Sequence, residues 1–440
     1  MLKIGSGAGF SGDRIDPAVE LAREVDLDYL VLECLAERTI AKAQKEKKQN
    51  STRGYDPFLI RRIKPLLTLI DKKRFTLISN MGAANPSAAG TALIEMAASF
   101  NISLKVAVVT GDDVLQLVSG EELVLETNEK LQHYTPFISA NAYLGIDSML
   151  PAFEFDPDII ITGRVADPSL FLAPMVYHYG WDQRNCDLLG QGTLIGHLLE
   201  CAGQITGGYF ADPGIKDVPN LAELGFPFAI IEEDGTAIIT KPENSGGIIN
   251  EHTVKEQLLY EVHDPSSYIT PDVTADFSKV EIKEIAENKV QIKGGAGKQK
   301  SANYKVSIGY FAGHTGEGEI SYAGASAYER AQLAGEIVKK RLAAHQVYPQ
   351  IEMAGVDTLH GVALTVSHPY EVRLRVAARC DTKEQADLVG EEVEALYTNG
   401  PFGGGGARKF THECVGILST LLSRKDVDTR VQVEVHSIEK

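Results

Sequence analysis

Cysteine is scarce in this 440-residue sequence, and no two cysteines form a C-x-x-C pair. Neither a disulfide framework nor a zinc knuckle is indicated by Cys34, Cys186, Cys201, Cys380 and Cys414. Long apolar runs are missing too. Residues 415–422 form one of the longest, well short of the roughly 20 residues that a bilayer-spanning helix needs. The chain opens without an export-signal pattern, so we expect a cytoplasmic protein with no membrane association.

Basic charge is also in short supply. Lysine and arginine number 43 against 60 aspartates and glutamates, which gives a formal net charge of −17. Such a chain has too few cations to neutralise a nucleic-acid backbone or an anionic bilayer, so we expect no nucleic-acid partner. No serine stands in a G-x-S-x-G motif, which argues against a serine hydrolase. An anionic ligand must therefore be met by single cations and backbone amides.

Short β-branched runs alternate with helical patterns through about the first 165 residues. The runs lie at residues 2–4, 29–32, 75–78, 105–109 and 158–161, and the helical patterns at residues 16–25, 56–72, 87–100 and 113–119. This alternation is typical of an α/β fold with a mostly parallel sheet and helical crossovers. Asp16-Pro17 and Asp56-Pro57 support two helix starts, since each places a carboxylate before a proline.

Beyond residue 270 the pattern changes to alternating strands with interspersed helices. The strands are expected at residues 279–285, 289–293, 304–310, 319–322, 371–379 and 430–435, and the helices at 326–344 and 383–397. This pattern predicts an α+β domain with glycine-rich loops. We therefore expect an α/β ligand-binding domain over residues 1–270 and an α+β domain over residues 271–440.

Polar residues follow each run of the first domain. They lie at residues 5–14, 33, 80–85, 110–113 and 162–167. The carboxyl ends of parallel strands meet at one edge of a sheet, where open α/β sheets bind their ligands. We therefore expect these segments to form one site.

The loop after the first run matches G-x-G-x-x-G at Gly7, Gly9 and Gly12. A dinucleotide site would need a helix starting within the motif, whereas Asp16 begins the helix well after it. A ligand-cradling loop with Ser11 and the cation Arg14 is one alternative, and a purely structural turn is the other.

The segment after the third run offers amide donors. Asn80, Gly82 and Asn85 precede a helix, so backbone and side-chain amides there could face an anion. Ordinary turn chemistry would explain the same residue types.

Several cations could meet an anionic ligand. Arg164 could bind a carboxylate or phosphate with Asp167 as its orienter or as a general base, or the two could form an internal ion pair. Lys241 lies beside a glycine loop and could equally be a solvated lysine. The glycine run with Gly404, Gly405 and Arg408 could be a flexible anion clamp or a mobile loop.

The sequence resembles the acyclic terpene utilisation AtuA family over most of its length. The resemblance is carried by residues 5–14 (GSGAGFSGDR), 29–39 (YLVLECLAERT), 80–86 (NMGAANP), 162–167 (TGRVAD) and 206–209 (TGGY). The family takes its name from a gene cluster that degrades acyclic terpenes through CoA thioesters. Many relatives carry a further C-terminal domain or are encoded beside a small protein, so the resemblance implies a small partner protein for this chain.

Together these patterns predict a lyase or hydratase acting on an organic acid or its CoA thioester. Glu33 or Asp167 would be the general base, while Arg14, Arg164 and the Asn80 loop would stabilise negative charge. This chemistry needs no redox cofactor. A divalent metal between Glu33 and Asp112 is left open, although no ligand spacing indicates it.

Two other functions stay open at this point. One is a non-catalytic ligand-binding subunit that works with a small partner protein, and the other is a nicotinamide-dependent dehydrogenase. The sequence does not determine the oligomeric state, and a homo-oligomer is compatible with it.

Overall fold

The computed structural model describes residues 1–361 and 369–439. The strands are β1 (Leu2–Ala8), β2 (Tyr29–Leu32), β3 (Thr76–Ser79), β4 (Leu104–Thr110), β5 (Phe137–Ala142), β6 (Ile159–Thr162), β7 (Phe228–Ile231), β8 (Ala237–Thr240), β9 (Tyr268–Ile269), β10 (Thr274–Asp276), β11 (Glu281–Ala286), β12 (Lys289–Lys293), β13 (Ala296–Lys298), β14 (Asn303–Ala323), β15 (Gln350–Ala354), β16 (Glu371–Cys380), β17 (Gly405–Ser423) and β18 (Gln432–Ile438). The helices are α1 (Asp16–Glu24), α2 (Glu37–Gln49), α3 (Leu59–Ile63), α4 (Leu67–Lys73), α5 (Pro86–Ser99), α6 (Ile146–Phe153), α7 (Asp167–Tyr179), α8 (Cys186–Glu200), α9 (Glu251–Leu259), α10 (Ala327–Ala343), α11 (Lys383–Glu394), α12 (Leu396–Asn399) and α13 (Arg424–Asp428). Within these described residues, no helix has the length and apolar character needed to cross a bilayer.

A large mixed sheet has the strand order β11-β12-β8-β7-β1-β2-β3-β6-β4-β18. Its central strands, from β1 to β4 in that order, pair in parallel. The strands on both sides of this centre are antiparallel. The predicted α/β class with an N-terminal parallel sheet and helical crossovers is confirmed.

Apolar side chains explain why these segments form the centre of the sheet. The β6 strand consists of three isoleucines and a threonine, all buried, as expected for a parallel strand covered on both faces. Helix α1 begins at Asp16 with Pro17 in its first turn. Helix α5 begins after Asn85, whose side chain accepts a hydrogen bond from the amide of Ala88.

The chain divides into two compact units. The first contains residues 1–133, 137–309 and 417–440, and the second contains residues 134–136 and 310–416. The division does not fall at residues 270–271, because β11 and β12 pair with the large sheet of the first unit. The predicted α/β ligand-binding domain over residues 1–270 and α+β domain over residues 271–440 stay predictions.

The second unit is α+β, as predicted for the C-terminal part of the chain. Strand β16 pairs antiparallel with β15 and with residues 314–323 of β14. Helices α10 and α11 contribute Ala331, Val338 and Val389 to a core that also contains Leu374. This apolar cluster holds the helices against the sheet.

Several predicted elements are wrong in detail. The helix expected at residues 113–119 is only a short 3₁₀ turn at Leu115–Leu117, because Asp113 pairs with Asn141 in an isolated bridge and Val118 has an extended backbone. The helix expected at residues 56–72 is split into α3 and α4, since Pro65 between them has no amide hydrogen.

Two glycine-containing segments outside the predicted strands belong to strands. Gly313 to Gly318 lie within β14, and β17 begins at Gly405. The closing strand expected in the second domain is β18, which instead pairs with β4 in the large sheet of the first unit. Pairing partners so distant in sequence leave no local pattern.

Candidate active site

A cavity of about 800 Å³ lies in the first unit. Its wall includes residues that follow β1, β2 and β6, together with residues at the end of α8. Among the predicted site residues it contains Gly9, Ser11, Arg14, Glu33, Arg164 and Asp167. The structure thus brings side chains from distant parts of the chain to one hollow, as the sheet topology predicts.

Glu33 is oriented by two hydrogen bonds to a single carboxylate oxygen. The side-chain amide of Asn80 donates to Glu33 Oε1 at 2.9 Å, and the backbone amide of Leu35 donates to the same atom at 2.8 Å. The side chain is only 8% exposed, and burial raises the pKa of Glu33 well above its usual value. Asp167 raises this pKa further, whereas Arg164 lowers it. The cavity environment therefore favours the protonated form of Glu33 more than water does.

The side chain of Asn80 forms hydrogen bonds with Glu33 and with the adjacent residue Cys34. Besides donating to Glu33, it accepts a hydrogen bond from the amide of Cys34 at 2.7 Å, and its side chain is completely buried. It is a positioning residue in this structure, and it does not line the cavity.

Gly82 and Asn85, predicted to bind ligand, have structural contacts instead. Asn85 Nδ2 donates to the carbonyls of Ser51 and Arg53, and its Oδ1 caps α5. A Cβ on Gly82 would lie 2.4 Å from the carbonyl oxygen of Thr162. Both residues therefore shape the loop and leave no group in the cavity wall.

Arg164 is buried in an internal ion pair. Its side chain is 1% exposed, whereas that of Asp167 is 36% exposed. The guanidinium donates to Asp167 and to the carbonyls of Leu35 and Val165. It also lies over the ring of Tyr143, 4.5 Å from the ring centre. Both Nη atoms already donate to protein groups, so Arg164 supplies positive charge to the cavity but does not present a free pair of Nη atoms to a carboxylate.

Asp167 begins α7 and reaches the cavity. Burial raises the pKa of Asp167, and the contact with Arg164 opposes that shift. Its position at a helix N-terminus favours the charged form as well.

Asp112 makes hydrogen bonds to residues of neighbouring segments and does not line the cavity. Its Oδ2 accepts hydrogen bonds from the amide of Arg164 at 3.0 Å and from the side chain of Asn141 at 2.8 Å. Within residues 1–361 and 369–439, no group of three or more His, Cys, Asp or Glu side chains is placed to hold a metal ion. The arrangement offers no support for a metal between Glu33 and Asp112.

The glycines at the end of β1 and directly after it are needed for close packing. A Cβ on Gly7 would lie 2.5 Å from Leu32 Cδ2, and one on Gly9 would lie 2.7 Å from the backbone carbon of Cys201. The amide of Gly9 donates to Asp13 Oδ2 at 2.9 Å and is thus occupied. The loop holds these positions for steric reasons, which matches the structural turn more closely than the ligand cradle.

We expect Gly9→Ala to destabilise the protein by about 1–3 kcal/mol, because the added methyl overlaps backbone that cannot rotate away. Urea unfolding measures this change. Gly405→Ala is a matched control, since nothing lies within 4 Å of its Cβ position. Equal stability of the Gly9 variant and the wild type would contradict the packing role.

The buried Arg62, which was not predicted from the sequence, stabilises the loop after β1 through hydrogen bonds. Arg62 donates to the carbonyls of Ser11, Asp13 and Arg14 at 2.8 to 3.1 Å. Arg14 itself reaches the cavity wall while donating to the carbonyls of Leu221 and Ala222. Arg14 is thus a cation at the cavity that is hydrogen-bonded to residues 221 and 222.

The remaining predicted binding residues lie elsewhere. Lys241 donates to the carbonyl of Ser245 at 2.7 Å, is largely buried and does not line the cavity. Gly404, Gly405 and Arg408 belong to the second unit. Their predicted roles stay predictions.

Two further acid–base residues were not assigned a role from the sequence. His197 and Glu200 lie three residues apart on α8, with His197 Nδ1 2.9 Å from Glu200 Oε1. Burial raises the pKa of Glu200 to about 7. A histidine and a glutamate at i and i+3 in an otherwise apolar, glycine-containing helix are the signal that could have identified them.

The Glu200 carboxyl makes stability depend on pH. Its pKa in the folded protein, about 7, lies above its ordinary value, so the stabilisation it provides is complete below about pH 4.5 and is lost as the pH rises through 7. We expect this group to lower the free energy of unfolding between pH 5 and pH 7 by up to about 1.4 kcal/mol per pH unit. Urea unfolding at several pH values should show a flatter profile for Glu200→Gln. Profiles of the same slope would contradict this expectation.

The cavity wall has an apolar part as well as an acidic part. Phe10, Leu221, Leu224, Phe226 and Tyr260 line it together with Tyr209, which is 91% exposed. The ionisable side chains in the wall are Asp13, Arg14, Glu33, Glu37, Arg164, Asp167, Glu200, Cys201, Tyr209, Tyr260 and Glu261, together with the buried Cys34. The hollow therefore combines proton-carrying groups with room for a hydrocarbon chain.

Fold and site together define an α/β protein with a cavity, lined by acidic and basic side chains, beside the carboxyl ends of parallel strands. A family model described as acyclic terpene utilisation family protein AtuA matches residues 2–433. The chain belongs to this family. Neither the curated proteins nor the solved structures contain a match to it.

Proposed function

We propose that this protein is a catabolic lyase or hydratase acting in the cytoplasm on an organic acid or its CoA thioester. The observation that carries the proposal is the cavity in which Glu33 and Asp167 face the same space with the buried Arg164 beside them. Addition or removal of water next to a carbonyl requires a group that exchanges a proton with the α-carbon and a positive environment for the enolate charge.

Glu33 is the group we assign to the α-carbon. Asn80 and the amide of Leu35 hold its Oε1, which fixes the carboxyl plane. Arg164 provides the positive charge, and its own hydrogen bonds keep it in place without reorganisation during the reaction. Asp167 orients Arg164 and balances its charge.

The apolar part of the wall supports a substrate with a hydrocarbon chain. Leu224 and Phe226 offer apolar surface, and Arg14 is a cation at the same cavity. These features suit a branched or linear acid. Its carboxylate, or the phosphates of CoA in its thioester, would contact Arg14. Membership of a terpene-utilisation family agrees with such a substrate class.

The test is turnover by the purified chain. Short and branched 3-hydroxy acids and 2-enoic acids, free and as CoA thioesters, are incubated with the protein, with and without a divalent metal, and hydration or dehydration is followed by mass spectrometry. We expect interconversion of at least one pair. Binding without turnover until a small partner protein is added would favour the non-catalytic subunit, and hydride transfer with NAD would favour a dehydrogenase.

The glycine loop already bears on the dehydrogenase alternative. The amide of Gly9 is occupied by Asp13, and α1 begins at Asp16, four residues after the last glycine of the motif. A pyrophosphate bound in the usual way needs free loop amides and a helix that starts within the motif.

A further inference from the structure

His197 and Glu200 form a buried pair at the end of α8. His197 Nδ1 and Glu200 Oε1 are 2.9 Å apart, and their side chains are 1% and 11% exposed. His197 packs against the rings of Tyr268 and Phe277, with ring centres 5.1 and 5.8 Å away. The imidazole is therefore fixed in position, and Glu200 is the member of the pair that reaches the cavity.

Hydrogen-bond chemistry locates the protons of this pair. His197 Nε2 is 3.2 Å from the carbonyl oxygen of Leu258. A carbonyl only accepts, so Nε2 carries a hydrogen and donates it. The contact between Nδ1 and Oε1 then requires one more proton, shared between His197 and Glu200.

The other oxygen of Glu200 has no partner within the described residues. Glu200 Oε2 is buried and makes no hydrogen bond, although the residue lines the cavity. A buried carboxylate oxygen without a partner is unfavourable unless a ligand or water supplies the missing hydrogen bond. An unpaired carboxylate oxygen on a residue of the cavity wall therefore points to a polar ligand group at Glu200.

We propose that Glu200 is the second catalytic acid–base group of this cavity, exchanging a proton with the substrate oxygen while His197 positions it. The proposal rests on the proposed function. Glu33 handles the proton at the α-carbon, and Glu200 handles the proton at the oxygen bound to the β-carbon. His197 is a positioning residue, because it contacts Glu200 and does not line the cavity.

The hydration step balances with these two carboxyls. Water gives a proton to Glu200 Oε2 as its oxygen bonds to the β-carbon. The electron pair of the C=C bond takes the proton of Glu33 at the α-carbon, and the product is a 3-hydroxy acid or thioester. Glu33 is left as a carboxylate, and Glu200 carries the proton taken from water until solvent exchange restores the starting state. Dehydration follows the same path in reverse, with Glu200 protonating the departing hydroxyl.

Other ionisable groups face Glu200 from neighbouring elements. Asp167 at the start of α7 and Glu261 after α9 both raise the pKa of Glu200, whereas His197 lowers it. Glu33, after β2, acts on the adjacent Cys201. These surroundings favour a proton on the pair near neutral pH.

Leaving-group rescue tests the assignment. A 3-chloroacyl-CoA loses chloride without needing a proton. A 3-hydroxyacyl-CoA loses its hydroxyl group as water, which requires that the hydroxyl receives a proton. We expect Glu200→Gln to reduce dehydration of the 3-hydroxy substrate 100-fold or more, and to reduce elimination from the 3-chloro substrate less than tenfold. Glu33→Gln should reduce both reactions by similar factors. Equal losses of both reactions in Glu200→Gln would overturn the assignment.

A second readout does not depend on turnover. With ¹⁵N-labelled histidine, NMR gives the titration midpoint of His197, assigned with His197→Gln. We expect Glu200→Gln to lower this midpoint by one pH unit or more. Glu434→Gln is the control, since Glu434 Oε2 lies 3.5 Å from His436 Nε2 in another histidine–glutamate contact outside the cavity wall.

The two measurements distinguish a failure of the proposed function from a failure of the role assigned to Glu200. If the wild type transforms none of the acids or thioesters, the proposed function fails. The titration midpoint of His197 still tests whether His197 and Glu200 share a proton. An unchanged midpoint in Glu200→Gln would overturn that part of the proposal. If turnover is observed but the 3-chloro substrate does not rescue Glu200→Gln, the proposed function stands and the role of Glu200 is overturned.

Discussion

Glu33→Gln is expected to reduce turnover of the hydratase substrate by a factor of about 10² to 10⁴, the range for losing a positioned acid–base group. Glutamine cannot exchange a proton with the α-carbon. It can still accept the hydrogen bonds from Asn80 Nδ2 and the amide of Leu35 through its carbonyl oxygen. The fold should therefore survive while the chemistry is lost. Steady-state kinetics of kcat and KM on the purified variant measure the effect.

The control for this variant is Glu284→Gln. Glu284 also accepts a hydrogen bond from a backbone amide, that of Glu251 at 2.8 Å, but it does not line the cavity. We expect its kcat to stay within a factor of two of the wild type. A Glu33 variant with full kcat and unchanged unfolding would remove Glu33 from the mechanism.

Arg164→Met should lower the free energy of unfolding by about 3–5 kcal/mol, because it removes a buried guanidinium and leaves the acceptors of its hydrogen bonds, among them the part-exposed Asp167, without a donor. The guanidinium donates to Asp167 and to the carbonyls of Leu35 and Val165, all of which lose a partner in the variant. The pKa of Glu33 should also rise further, since Arg164 opposes the effect of burial there. Urea unfolding at constant pH gives the change in stability.

Arg184→Met provides the comparison for an exposed ion pair. Arg184 contacts Asp182 at 2.8 Å, but the two side chains are 91% and 55% exposed. Exposed pairs contribute at most about 1 kcal/mol, so this variant should unfold almost like the wild type. A similar decrease in the free energy of unfolding in both variants would contradict a stabilising role of the buried Arg164.

The central sheet was predictable because its signal is local. Continuous β-branched runs such as Ile159-Ile160-Ile161 mark buried parallel strands, and Asp16-Pro17 marks the start of α1. The topology rule then places the residues after these strands together. The approach of Glu33, Asn80 and Arg164 to one region follows from those two facts alone.

The partners within the site were not predictable, because they depend on long-range contacts. Nothing near Arg164 in the sequence shows that the carbonyl of Leu35 takes one of its donors. Likewise, the spacing of His197 and Glu200 allows a contact, but only the fold shows that Glu200 faces the cavity. A glycine that packs tightly and one that cradles a ligand also look alike in sequence, as Gly9 illustrates.

The pairing of β18 with β4 has a consequence for synthesis of the chain. Gln432 pairs with Thr110, 322 residues earlier in the sequence. At a translation rate of about 5–20 residues per second, one edge of β4 waits on the order of tens of seconds for its neighbour to leave the ribosome. During that time Val106 and Val108, buried in the finished protein, belong to an open β edge. We therefore expect a nascent chain to be more prone to aggregation before β18 emerges than after it has paired with β4.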